Sequence, residues 1–145
     1  MKKYLFILFL MISLTLLFPE EVDLEKLYKN AKAKIEQNDF KQAFQDIFIK
    51  YPDTYYGQLS LLELAKIELL KRNYEQAIIY LKKIYNSDVE TKQYWLAKCY
   101  LKSENYDSAI ISAQNYIFDS KNKEKIETAY FIIIEAYIQQ NKFKR

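Results

Sequence analysis

The chain of 145 residues has a single glycine, two prolines, one cysteine and no histidine. With so few breakers there is little to punctuate short strands, and Leu, Ile, Lys, Glu, Gln and Ala fill long stretches, so the composition selects an all-helical chain. The missing histidine removes the commonest general base and the commonest metal ligand. One cysteine, Cys99, can form neither an internal disulfide nor a zinc site by itself. One glycine, Gly57, cannot build a phosphate-cradling loop. The carboxylates fall mostly on helix surfaces beside lysines, which is the pattern of a solvated face. The expectation is a protein with no catalytic residues, no cofactor and no metal.

What the chain does have is a recurring motif. Asn, at most one further residue, and an aromatic occur at Asn38-Asp39-Phe40, Asn73-Tyr74, Asn105-Tyr106 and Asn141-Lys142-Phe143. The first three are followed three residues after the aromatic by Ala43, Ala77 and Ala109. The aromatics are 34, 32 and 37 residues apart, a period that signals stacked helical hairpins. If each aromatic opens a second helix, first helices fall at about 22–37, 56–71, 89–103 and 123–140. Second helices then fall at about 39–50, 73–86 and 105–118. Apolar residues recur at helical spacing in these windows, as in Leu61, Leu64, Ala65 and Leu69, or Tyr74, Ala77, Ile78 and Leu81. No single pair can bury its stripe, so neighbouring pairs must stack. Ala43, Ala65, Ala77, Ala97 and Ala109 are expected at close helix crossings, with Phe40, Tyr74 and Tyr106 filling the seams.

The amino terminus differs. Lys2-Lys3 precede an apolar run from Tyr4 to Phe18, the layout of an export signal, with no Ala-x-Ala cleavage site and no cysteine after it. The expected organisation is a signal peptide or signal anchor over 1–19 and a repeat domain over 20–145. Within that domain the repeats are expected at about 22–51, 56–86 and 89–119, with an unpaired helix at about 123–140. Export to the periplasm or cell envelope follows, with anchoring in the inner membrane if the segment is retained. Without residues 1–19 the basic residues number 20 against 19 acidic, too even a balance to attract nucleic acid or anionic lipid. Membrane contact is then expected only through residues 1–19, and the expected partner is a protein.

The spacing of Leu96, Ala97, Tyr100, Tyr106 and Ala109, and of Leu61, Leu64, Ala65, Tyr74 and Ala77, resembles the tetratricopeptide repeat family. The first unit matches at Leu27, Ala31, Phe40 and Ala43, with Asn30 where the family has leucine, and the last helix at Tyr130, Ile133, Ala136 and Tyr137. The resemblance spans roughly residues 22–143 and implies a right-handed superhelix of antiparallel helix pairs that binds other proteins. Lys50-Tyr51-Pro52-Asp53-Thr54-Tyr55-Tyr56 is similar, more narrowly, to envelope repeat proteins of the BamD and YbgF kind. That likeness implies, as an alternative, a subunit of outer-membrane barrel assembly.

In the tetratricopeptide family the concave surface is lined by first helices. Carried over by register, it would present Tyr28, Leu62, Tyr94 and Phe131, and one turn further Lys32, Lys66, Lys98 and Glu135. Three lysines beside large apolar side chains would hold an extended or helical peptide of acidic character. The asparagines of the family's carboxylate clamp are absent from this row. Cys99, beside Tyr100, is expected as a small buried hydrophobe. The run Tyr130-Phe131-Ile132-Ile133-Ile134 is apolar on several sides of the last helix. Its exposed part would serve a partner helix or a second copy of the chain, the latter giving a self-associating structural protein.

Overall fold

A computed structural model describes residues 22–34 and 40–143, with side chains through Asn141. The apolar run over 4–18 and the motif residues Asn38 and Asp39 lie outside the described residues. Within them the chain is all-helical, with no strand. The helices are α1 (Leu24–Ala33), α2 (Phe40–Lys50), α3 (Tyr55–Leu70), α4 (Tyr74–Lys83), α5 (Lys92–Lys102), α6 (Tyr106–Asp119) and α7 (Lys123–Phe143).

Local chemistry explains most of the boundaries. Asp23, Thr54, Asn105 and Asn122 each accept a hydrogen bond from a backbone N–H three residues on, at 2.9, 3.1, 3.2 and 3.1 Å. These side chains satisfy donors that the first helical turn leaves open. Helices α3 and α5 end alike. Arg72 and Glu104 adopt left-handed backbone, with φ of 63° and 61°. The following N–H groups reach back five residues, Asn73 to the Glu68 carbonyl at 2.8 Å and Asn105 to the Tyr100 carbonyl at 2.9 Å. This is the Schellman closure, which glycine usually serves and which here falls to arginine and glutamate. The aromatics Tyr74 and Tyr106 follow one residue later as the first positions of α4 and α6. No such break occurs at the fourth motif: α7 runs on through Asn141 to Phe143, beyond the expected end at 140.

Cross-helix contacts show three consecutive pairs, α2 with α3, α5 with α6 and α6 with α7, running antiparallel. Lys41 at the start of α2 meets Glu68 near the end of α3, Tyr94 near the start of α5 meets Tyr116 in the last turn of α6, and Asp107 opening α6 meets Gln140 late in α7. Each helix packs on its sequence neighbours, and α1, α3, α5 and α7 also touch one another in order. The even-numbered helices α2, α4 and α6 make no such contacts with each other. The odd helices therefore form a continuous layer, while the even ones stand apart behind it.

The core is a chain of three clusters. Tyr28, Ala31, Phe44, Ile47, Leu64 and Ile67 fill the first, around α1 to α3. Leu61, Ala65, Ala77, Leu81 and Leu96 belong to the second, which Leu59 and Tyr80 connect to the first. Ala97, Ala109, Ala113, Ala129 and Ala136 belong to the third, which Trp95 and Tyr100 connect to the second. Ala65, Ala77, Ala97 and Ala109 are each 1 % exposed or less, as expected of methyl groups at close crossings. Ala43 is half-buried against the first cluster.

Between α2 and α3, Pro52 ends one helix and Thr54 opens the next. Gln58 is fully buried but satisfied: its amide donates to the Pro52 carbonyl at 2.7 Å, and its oxygen accepts from the Tyr85 N–H at 2.9 Å. The Tyr85 hydroxyl in turn donates to Asp53. This links the turn before α3 to the chain leaving α4, two segments 27 to 32 residues apart. Buried amides with every bond made position such turns closely.

Candidate protein-binding face

The odd-helix layer carries the side chains expected to meet a partner. Because α3 is wrapped by α2, α4, α1 and α5, nine of its sixteen residues are buried. The other seven form a narrow strip of Tyr55, Leu59, Glu63, Lys66 and Leu70, spaced three or four residues apart, with the half-buried Tyr56 and Leu69 beside it. Lys66 is in that strip. Leu62 is not, at 4 % exposure, and Tyr28 and Tyr94 are likewise buried at 8 % and 7 %. The expected ladder therefore divides. Tyr28, Leu62 and Tyr94 form the floor beneath the lysines, and Phe131, 69 % exposed, stands free on α7.

The floor is tied to the surface. The Tyr28 hydroxyl donates to Glu63 at 3.0 Å, and Lys66 donates to the same carboxylate oxygen at 2.9 Å. Burial, with the Glu63 charge beside it, raises the Tyr28 pKa well above the ordinary tyrosine value, so the hydroxyl stays a donor. Tyr28 packs on Phe44 and Tyr56, each with ring centres 5.6 Å apart. Tyr94 packs on Trp95 at 5.3 Å and on Tyr116 at 5.4 Å.

The three lysines converge on this aromatic floor. The Lys32 ammonium lies 6.0 Å from the Tyr28 ring centre. Those of Lys66 and Lys98, on successive odd helices, lie 5.2 and 4.8 Å from the one Trp95 ring, and Lys98 is 5.4 Å from Tyr94. Such contacts attract an ammonium group to a ring face without requiring a carboxylate. Among the described residues, Lys32 and Lys98 have no carboxylate partner. Glu135, the α7 member of the row, approaches Lys102 at 4.0 Å. The face thus offers ammonium groups without a carboxylate partner over α1 and α5, the Lys66–Glu63 ion pair over α3, and turns acidic and apolar at α7.

Trp95 was not foreseen as part of this face. Its signal was available, since it immediately precedes Leu96 and is the only tryptophan in the chain. Its position became visible only through the packing of α3 on α5.

Elsewhere the described residues offer little for chemistry. Cys99 is 1 % exposed, and burial pushes its thiol up to about 12, so it is neither nucleophilic nor accessible. No group of three or more Cys, Asp or Glu among the described residues is placed to hold a metal ion. A cleft of about 430 Å³ between the α4–α5 loop and the end of α6 contains Lys92, which donates to the Ile84 carbonyl and whose pKa is lowered by burial. No helix of the described residues is long and apolar enough to cross a membrane. Comparison with known protein families, with curated proteins and with solved structures returned no match.

Proposed function

We propose that this chain is a non-catalytic binding scaffold of the cell envelope, a tetratricopeptide-like superhelix that holds an acidic segment of a partner protein across α1, α3 and α5. One observation carries the reading: Lys32, Lys66 and Lys98, from three successive odd helices, all lie over aromatic rings of one face. Lysines placed at a common register present a line of charge that a carboxylate-bearing peptide or helix matches. Contact among the odd helices but not the even ones supports a stack that curves toward the odd side, making this the concave face. The apolar run behind Lys2-Lys3 supports export.

Charge reversal tests the reading. Lys32→Glu and Lys98→Glu, at lysines without a carboxylate partner among the described residues, should each weaken capture of a partner from envelope extracts, with the melting temperature within a few degrees of the parent. Lys82→Glu, on α4, serves as control because Lys82 is exposed on an even helix. Loss of capture in the Lys82 variant, with capture retained in the other two, would move the partner to the opposite side and end the proposal.

A further inference from the structure

Helix α7 exposes a stripe of five large apolar side chains: Tyr130, Phe131, Ile134, Tyr137 and Ile138, each 49 to 69 % accessible. Its opposite side is packed, with Ala129, Ile132 and Ala136 in the third core cluster. The stripe has an internal counterpart. A shift of 37 residues, the spacing of the motif aromatics Tyr106 and Phe143, superimposes Phe131, Ile134 and Ile138 on Tyr94, Ala97 and Leu101 of α5. Those three α5 residues are buried against α6 in the third cluster. The exposed face of α7 is therefore built like one that, a repeat earlier, receives an antiparallel helix.

Two features identify the occupant. The α5 face has Ala97 at its centre, which lets α6 approach closely, whereas α7 has Ile134 there. A helix docking on α7 must sit farther away and interleave large side chains with large ones. The stripe is also symmetric about that isoleucine. Its members lie four and three residues before Ile134 and three and four residues after it. A two-fold axis through Ile134 superimposes such a pattern on itself, the requirement for an isologous contact. Antiparallel pairing would set Tyr130 of one copy against Ile138 of the other, and Phe131 against Tyr137. One turn further out Glu127 would face Asn141, so no like charges meet. The five side chains expose on the order of 500 Å² per copy, at the top of the range for the largest patch on a monomer. Doubled, this nears the lower bound of a specific interface, and flanking residues add the rest.

We propose that α7 pairs antiparallel with α7 of a second copy of this chain, with the two-fold axis at Ile134. This does not depend on the lysine row, which lies over α1, α3 and α5; loss of partner capture and loss of pairing are separate readouts.

The test uses the full-length protein in density-matched detergent. Sedimentation equilibrium should give a dimer at micromolar concentration. Ile134→Glu should weaken the dimer roughly thirtyfold or more, as expected of a central interface residue. Its helicity should be unchanged, since Ile134 is half exposed in the single chain, and its melting temperature should match that of the parent diluted until it is monomeric. Orientation is read by cysteine cross-linking with Cys99, buried in the parent, replaced by Ala. Ile134→Cys should form a disulfide between two copies. Glu127→Cys and Asn141→Cys should each fail alone and cross-link when two differently tagged copies are mixed. A monomer at every concentration would overturn the proposal. So would disulfides at Glu127→Cys and Asn141→Cys each with itself, which mark a parallel pair, or cross-links from Ile134→Cys to a different protein alone.

Discussion

Gly57→Ala opposes two effects whose sizes can be compared. Gly57 lies in the first turn of α3, and replacing an interior helical glycine by alanine ordinarily stabilises by about 1 kcal/mol, because glycine has more backbone freedom to lose. Here the added methyl has nowhere to go. A Cβ built on Gly57 falls 1.9 Å from the Tyr51 carbonyl oxygen and 3.2 Å from Thr54 Oγ1. That carbonyl is held by the Thr54 N–H at 3.2 Å and the Thr54 hydroxyl at 2.8 Å. The obstacle is hydrogen-bonded backbone, not the end of a flexible side chain, and relief would require a shift of more than an ångström between α3 and the preceding turn. Overpacking ordinarily costs about 1–3 kcal/mol, and a backbone obstacle places this case at the upper end. Set against the gain in propensity, the net expectation is a loss of about 2 kcal/mol. Urea denaturation followed by circular dichroism should show a lower midpoint with an unchanged slope. A midpoint equal to or above the parent's would refute the reasoning, because propensity would then outweigh the close approach.

The left-handed residues after α3 and α5 should respond in the opposite direction. Arg72→Gly and Glu104→Gly are each expected to stabilise by roughly 0.5–1 kcal/mol in the same denaturation assay, because side chains are strained there and glycine is not. Ala77→Leu and Ala109→Leu should each destabilise by roughly 1–3 kcal/mol, since both alanines are fully buried. Glu68 is 2 % exposed; its burial would raise its pKa, but hydrogen bonds from Lys41 at 2.7 Å and Asn73 at 2.8 Å outweigh that and lower it. Its contribution is therefore fully present above the ordinary carboxylate value and is lost as pH falls through the lowered one. Denaturation midpoints measured across that range should fall less steeply for Glu68→Gln than for the parent.

Much of the helix pattern was legible because it rests on short-range chemistry. The Asn-aromatic pairs located the starts of α4 and α6, and the alanines three residues on were found in the core. What escaped the sequence depended on contacts between distant segments or on residues acting outside their usual preference. Arg72 and Glu104 occupy a conformation that sequence reasoning reserves for glycine. Gly57 read as an isolated glycine, because the carbonyl that requires it is brought near by the fold of the Tyr51–Thr54 turn. Register placed Tyr28, Leu62 and Tyr94 on the partner-facing side. An odd helix with four neighbours leaves only a strip open, however, and these positions fall just outside it. A one-position difference from Leu62 to Glu63 turns a side chain by about 100°, enough to exchange floor for surface. The lysines one turn further on reach the strip because their long stems carry the charge outward.

The only tryptophan of the chain stands where two lysines of the proposed binding row meet and where two clusters of the core join. The protein thus contains its own optical probe. Indole emission depends on the charges and water around the ring, so a carboxylate that draws Lys66 and Lys98 away from Trp95 would change the signal without any label. The chain has fourteen tyrosines to that one acceptor, and Tyr94 lies 5.3 Å from it, close enough to pass excitation to the indole. Exciting the tyrosines and observing the tryptophan would therefore follow the integrity of the stack, while direct excitation of Trp95 would follow occupancy of the row.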